Sequence, residues 1–188
     1  MLIAYGAAFC RAVIGLTFAF SFAGKVRDVP SFVQTIRRFK LLPDWLSRTA
    51  AMAFLCGEAV VVFAMIPHPR IERSSIPLFR WEKGIVTGGF LLAALMLLVF
   101  CAALASVLVR KIQTSCNCFG ASEKQVSSYD IVRNIGFIVC ALNGCGAQIG
   151  GQSSLVDLGV MECGLAGMVA AVFIAVWIQL GEILAFFK

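Results

Sequence analysis

The sequence predicts an all-α integral membrane protein: a four-helix transmembrane bundle, a fifth C-terminal transmembrane helix and one interfacial amphipathic helix. Three observations carry this. Hydrophobic residues make up 60% of the 188, charged residues only 14%, and mean hydropathy is +0.91, a composition whose natural solvent is lipid. Apolar runs long enough to cross a bilayer, which takes about 20 helical residues, recur five times along the chain. The net charge of +6 comes from Lys and Arg lying between these runs. Such placement marks membrane-flanking charge and excludes a nucleic-acid-binding face.

The membrane domain takes residues 1–149, with spans at about 2–24, 49–66, 84–109 and 129–149. The first span is interrupted by Arg11 and has no charge before it, the reverse of a signal peptide, whose basic region precedes a clean apolar core. Residues 25–46 interleave Lys25, Arg27, Arg37, Arg38 and Lys40 with apolar positions at 32, 33, 36 and 39. That spacing predicts a basic amphipathic helix over about 28–42, lying at headgroup level and ended by Pro43, with Trp45 at the interface beyond it.

The second span contains Glu58 among apolar residues; a carboxylate there is costly in hydrocarbon and must face the bundle interior with a partner. Residues 67–83 form a polar connection holding the single histidine, His68, and the third span carries no charge. The fourth opens Tyr129-Asp130-Ile131-Val132-Arg133-Asn134. Residues 150–188 comprise a Gly/Ser-rich linker and an extra span at about 160–187, with Glu162 and Glu182 near its ends. Turn counting along antiparallel spans one and two sets Arg11 and Glu58 at similar depths. They are therefore the expected intramembrane ion pair, structural or functional, with separate snorkelling as the alternative.

Between the third and fourth spans lies Ser115-Cys116-Asn117-Cys118-Phe119-Gly120. The other six cysteines fall inside apolar segments, where a thiol behaves as a small hydrophobe. Cys116 and Cys118 combine a polar loop with the nearby cations Arg110, Lys111 and Lys124, conditions that favour a thiolate. Arg133 and Asn134, about one turn into span four, and Lys25 at the matching end of span one could add to that positive environment. For Arg133 the competing role is plain anchoring at a helix end.

Three chemistries remain open for the cysteine pair. A structural metal needs about four ligands, and the loop offers two sulfurs with His68 expected on the other face, so no metal site is expected. An inert disulfide across one residue closes too small a loop to stabilise much. A redox disulfide suits so tight a ring, which exchanges readily with a partner thiol. A membrane quinone is a candidate electron sink or source, with Cys56, Cys101 or Cys140 as a relay, against the ordinary packing role of buried cysteines.

These residues carry a resemblance. Arg11, Gly15-Leu16-Thr17-Phe18, Gly24-Lys25, Phe32, Leu41-Leu42-Pro43, Glu58, Cys116-Asn117-Cys118-Phe119-Gly120 and Arg133-Asn134 stand in this order. Over about residues 5–145 the chain resembles the methylamine-utilisation protein MauE family, within the DoxX-like membrane proteins. The resemblance implies a DoxX-like four-helix bundle that works with a thioredoxin-like partner in maturation of the methylamine dehydrogenase light subunit, which carries many disulfides and a tryptophan-derived quinone. It implies Cys116 and Cys118 as the redox pair. The connection at 67–83 and the fifth span fall outside the family pattern. The alternative class is a non-catalytic membrane scaffold or assembly factor for a partner protein; a transporter ranks behind both.

Orientation is contested within the sequence itself. Ten Lys/Arg accompany 25–48, 110–128 and Lys188, against four (Arg70, Arg73, Arg80, Lys83) in the other connections, which by the positive-inside rule puts the Cys-x-Cys loop in the cytoplasm. Disulfides persist outside it. On family grounds the loop is expected on the extracytoplasmic side of a bacterial inner membrane.

Overall fold

A computed structural model describes residues 2–39, 43–66, 77–110, 127–150 and 160–179, and among these the chain forms six helices and no strand. They are α1 (Leu2–Arg27), α2 (Val29–Arg38), α3 (Asp44–Met65), α4 (Pro77–Val109), α5 (Ser128–Ile149) and α6 (Val160–Ile178). The fold is all-α, and segments Ile3–Arg27, Asp44–Met65, Lys83–Val109 and Met161–Ile178 are each long and apolar enough to cross a membrane. The protein is a multi-pass membrane protein.

Helices α1, α3, α4 and α5 close a ring, in which α1 packs on α3 and α5, and α4 on α3 and α5. The fourth member is as long as α3 but more polar, carrying Asp130, Arg133, Asn134, Asn143 and Gln148. Its inward face runs Asn134, Phe137, Ala141, Gly144, Cys145, Gln148, a helical stripe aimed at the core. There Val13, Ile14, Phe90 and Phe137 are fully buried. Close approach of α4 and α5 depends on Gly144, where a Cβ would stand 2.5 Å from the Phe90 ring; small residues let membrane helices pack backbone to side chain in this way. The outward faces remain apolar: Phe20, Phe63, Leu95 and Val99 are exposed, as a lipid-facing surface requires.

Helix α6 lies outside the ring against α1. Phe9 meets Phe173 edge-on, and the Trp177 indole donates to the Arg133 carbonyl at 3.2 Å. At its other end the Tyr5 hydroxyl donates to Glu162 at 2.6 Å. The expected span at 160–187 is thus a helix through Ile178, and 180–187 lie outside the described residues.

The expected amphipathic segment is α2. Asp28 caps it, accepting from the Ser31 amide at 3.0 Å, and Pro30 occupies its first turn, where a missing N–H costs nothing. Phe32 packs on Ala51 and Leu55 of α3 while Arg37 and Arg38 end the helix. Helix α3 begins at Asp44, five residues before the expected 49, with Pro43 as its N-cap. The turns of α3 around Ala51 and Leu55 carry α2 beside the end of α1, and α3 is offset along α1 from the register that counting from span ends gives.

That offset corrects the expected Arg11–Glu58 pair, which does not form. Arg11 sits opposite the C-terminal end of α3, with Nε 3.0 Å from the Met65 carbonyl and Nη2 2.8 Å from that of Ile66. It caps carbonyls that lack intrahelical donors and faces the negative end of the helix dipole. Glu58 lies about two turns further toward the start of α3.

Candidate functional site

The polar groups of the bundle gather at the end where α1 finishes and α5 begins. Thr17, Ser21 and Lys25 follow one another at intervals of four on α1, which stacks them on one face. Long helical side chains lean toward the N-terminus, so the Lys25 ammonium reaches back to the Ser21 hydroxyl. There it also donates to Glu58 Oε1 across the bundle. Ser21 in turn donates to the same carboxylate oxygen at 2.9 Å. The Lys25 and Glu58 side chains are 3% and 2% exposed.

Two charges this deep require more than each other. Phe32 and Phe54 flank the ammonium, with ring centroids at 5.3 and 5.1 Å, so the cation rests against electron-rich ring faces. Phe54 leans in turn on Phe100 of α4, their centroids 6.4 Å apart.

Beside the pair is a small cavity of about 30 Å³, room for roughly two waters. All four ring helices line it: Thr17, Ser21 and Lys25 from α1, Phe54 and Glu58 from α3, Met96, Leu97 and Phe100 from α4, and Asn134 from α5. Thr17 Oγ1, Glu58 Oε2 and Asn134 Nδ2 are buried around it with no hydrogen-bond partner among the described residues. An acceptor, an amide donor and a hydroxyl that can do either make a hydration site. Buried polar groups left this way are costly unless water or a ligand serves them.

Sequence reasoning brings Lys25, Glu58 and Asn134 to one place only in part: all three line this cavity, whereas Arg11 belongs to the other end of α3. Arg133 is nearby on α5 but bridges Asp130 at 3.1 Å, and Asp130 also closes the Ser127 capping box. Both expected cations therefore face carboxylates, which reduces the positive field at this end. Ser21, Thr17 and the Phe32–Phe54 box were not anticipated. The i, i+4, i+8 polar stripe on an otherwise apolar helix is the signal that marks the first two.

Cys116 and Cys118 lie outside the described residues. Val109 and Ser128, the helix ends that flank their connection, are at the cavity end of the bundle, and Asn134 is about 9 Å along α5 from Ser128. Among the described residues no group of three or more His, Cys, Asp or Glu is arranged to hold a metal.

The family model for methylamine utilisation protein MauE matches residues 3–147, which takes in all but the outermost residues of the four-helix ring. Methylamine utilization protein MauE of Paracoccus denitrificans is 32% identical over 134 residues, covering 70% of this chain and 64% of that protein. The match thus spans just under two thirds of the relative's length. No solved structure matches the chain. By a family match over most of its length and this curated relative, the chain belongs to the methylamine utilisation protein MauE family.

Proposed function

We propose that this protein is a membrane-embedded thiol–disulfide redox protein of methylamine utilisation. Cys116 and Cys118 are its redox pair, and it acts with a thioredoxin-like partner in maturation of the methylamine dehydrogenase light subunit. The observation that carries this reading is the buried cleft of Lys25, Ser21, Glu58 and Asn134 at the bundle end from which the Cys-x-Cys connection departs. Family membership supports the pathway.

In the exchange, a partner thiolate attacks one sulfur of the Cys116–Cys118 disulfide and forms a mixed disulfide, releasing the other loop cysteine as a thiolate. The partner's second thiolate then attacks the mixed disulfide. The partner leaves oxidised, and two electrons rest on the loop dithiol. Regenerating the disulfide passes two electrons and two protons on, for which a membrane quinone is the proposed acceptor. Lys25, Asn134 and Arg133 are supporting residues: a water-sized cleft with an unserved carboxylate oxygen, hydroxyl and amide suits proton exchange with the leaving thiolate.

The test labels Cys116 and Cys118 in intact cells with a membrane-impermeant thiol reagent, in a variant that retains only these two cysteines. Labelling that needs prior mild reduction is the expected result, since it places a reducible disulfide on the extracytoplasmic side. Labelling that needs permeabilisation and no reductant puts reduced thiols in the cytoplasm and ends the maturation role.

A further inference from the structure

A second pair of thiols meets inside the bundle. Cys10 of α1 and Cys140 of α5 are 130 positions apart in sequence, and their sulfurs stand 3.6 Å apart. Cys10 is 8% exposed, and Cys140 is partly exposed. Around them the core is apolar, with Val13, Ile14, Phe137 and Ala141 all buried. Along α1 the pair is about 22 Å from Lys25, too deep for the loop cysteines to reach by exchange.

We propose that Cys10 and Cys140 form an intramembrane dithiol–disulfide couple that reversibly staples α1 to α5. The sulfurs need to close by about 1.5 Å to reach a disulfide bond, a movement within the range of side-chain rotation. Each thiol gives up one hydrogen and one S–S bond forms, so two electrons and two protons must leave together. At this depth a water-soluble oxidant is excluded; the acceptor is a lipid-soluble quinone, which takes both and becomes a hydroquinone. Helix α1 carries Thr17, Ser21 and Lys25, and α5 carries Asn134. Oxidation of the core pair therefore fixes two walls of the polar cleft against each other, whereas reduction frees them.

The experiment treats the purified full-length protein in detergent with a short-chain ubiquinone analogue. The protein is then denatured, its free thiols are alkylated, and peptides are mapped without reduction. A variant keeping only Cys10 and Cys140 is treated alongside. The expected result in the stripped variant is a joined Cys10–Cys140 peptide pair, loss of two alkylatable thiols and one hydroquinone formed per chain, reversed by dithiothreitol; the wild-type chain shows the same joined pair. The oxidised protein also has a higher unfolding midpoint than the reduced one. A Cys10→Ala change leaves Cys140 alkylatable. Full alkylation of both thiols after quinone treatment overturns the proposal, as does pairing of Cys140 with another cysteine. Should the stripped variant misfold, the peptide map of the wild-type chain decides. Cross-linking in a Cys116→Ser, Cys118→Ser double variant separates this couple from the loop chemistry, since it persists there whether or not the loop pair is redox-active.

Discussion

Lys25 and Glu58 form a buried ion pair that joins the end of α1 to the middle of α3, with the Ser21 hydroxyl donating to the same carboxylate oxygen that accepts from Lys25. Removing one member strands the other charge in the core, which typically costs about 3–5 kcal/mol. Lys25→Met and Glu58→Gln are each expected to lower stability strongly, while the double substitution recovers much of the loss. Reversible unfolding of all four proteins in detergent, analysed as a double-mutant cycle, checks this. Additive losses would mean that the two groups do not act as a pair.

Arg11 caps the end of α3. Its guanidinium spans the Met65 and Ile66 carbonyls, a fork that Lys cannot reproduce with one ammonium. Both Arg11→Leu and Arg11→Lys are expected to open the last turn of α3, with loss of about 1–3 kcal/mol. Hydrogen exchange at the amides of residues 62–66 should speed up in both, with little change at Glu58. Unchanged protection at 62–66 would remove Arg11 from the capping role.

Much of this architecture is legible in the chain because composition and apolar run length report directly on lipid as the solvent. The amphipathic α2 is legible too, since its basic and apolar positions separate at helical spacing. Pairing of the intramembrane charges is not. It depends on the offset between α1 and α3, with α2 packed on the turns of α3 around Ala51 and Leu55. Counting from presumed span ends put Arg11 level with Glu58, whereas the partner is Lys25, which the sequence reading gave to the loop. Lysine's reach toward its own N-terminal turn, over Ser21, makes the difference. The Cys10–Cys140 approach is equally invisible in sequence, because it follows from the register of α5 against α1.

The close approach of α4 and α5 supplies a controlled comparison between two glycines two residues apart on α5. A Cβ at Gly144 meets the Phe90 ring at 2.5 Å, and one at Gly146 meets nothing within 4 Å. Phe90 is fully buried, so its ring has nowhere to retreat. Gly144→Ala is expected to destabilise by about 1–3 kcal/mol. Gly146→Ala should be neutral or stabilising by up to about 1 kcal/mol, through helix propensity. Thermal unfolding of the two variants side by side reads the difference, and equal midpoints would contradict the packing at Gly144.

The unserved groups of the cleft distinguish a hydrated relay from a dry structural knot. Thr17 Oγ1 and Asn134 Nδ2 have no protein partner among the described residues, so Thr17→Val and Asn134→Leu remove polar atoms without breaking any hydrogen bond described there. Replacing an unsatisfied buried group by an apolar one of similar shape is nearly neutral or stabilising. Stability is therefore expected to stay within about 0.5 kcal/mol of wild type for Thr17→Val. If the cleft exchanges protons with the loop thiols, the rate of thiol–disulfide exchange at Cys116 and Cys118 should nevertheless fall several-fold in both variants. The fall should be larger at high pH, where solvent supplies fewer protons to the leaving loop thiolate and the cleft is the nearer donor. Stopped-flow exchange with a thioredoxin-like protein across a pH series measures it. Exchange rates that match wild type at every pH would leave the cleft a packing feature and confine the chemistry to the loop.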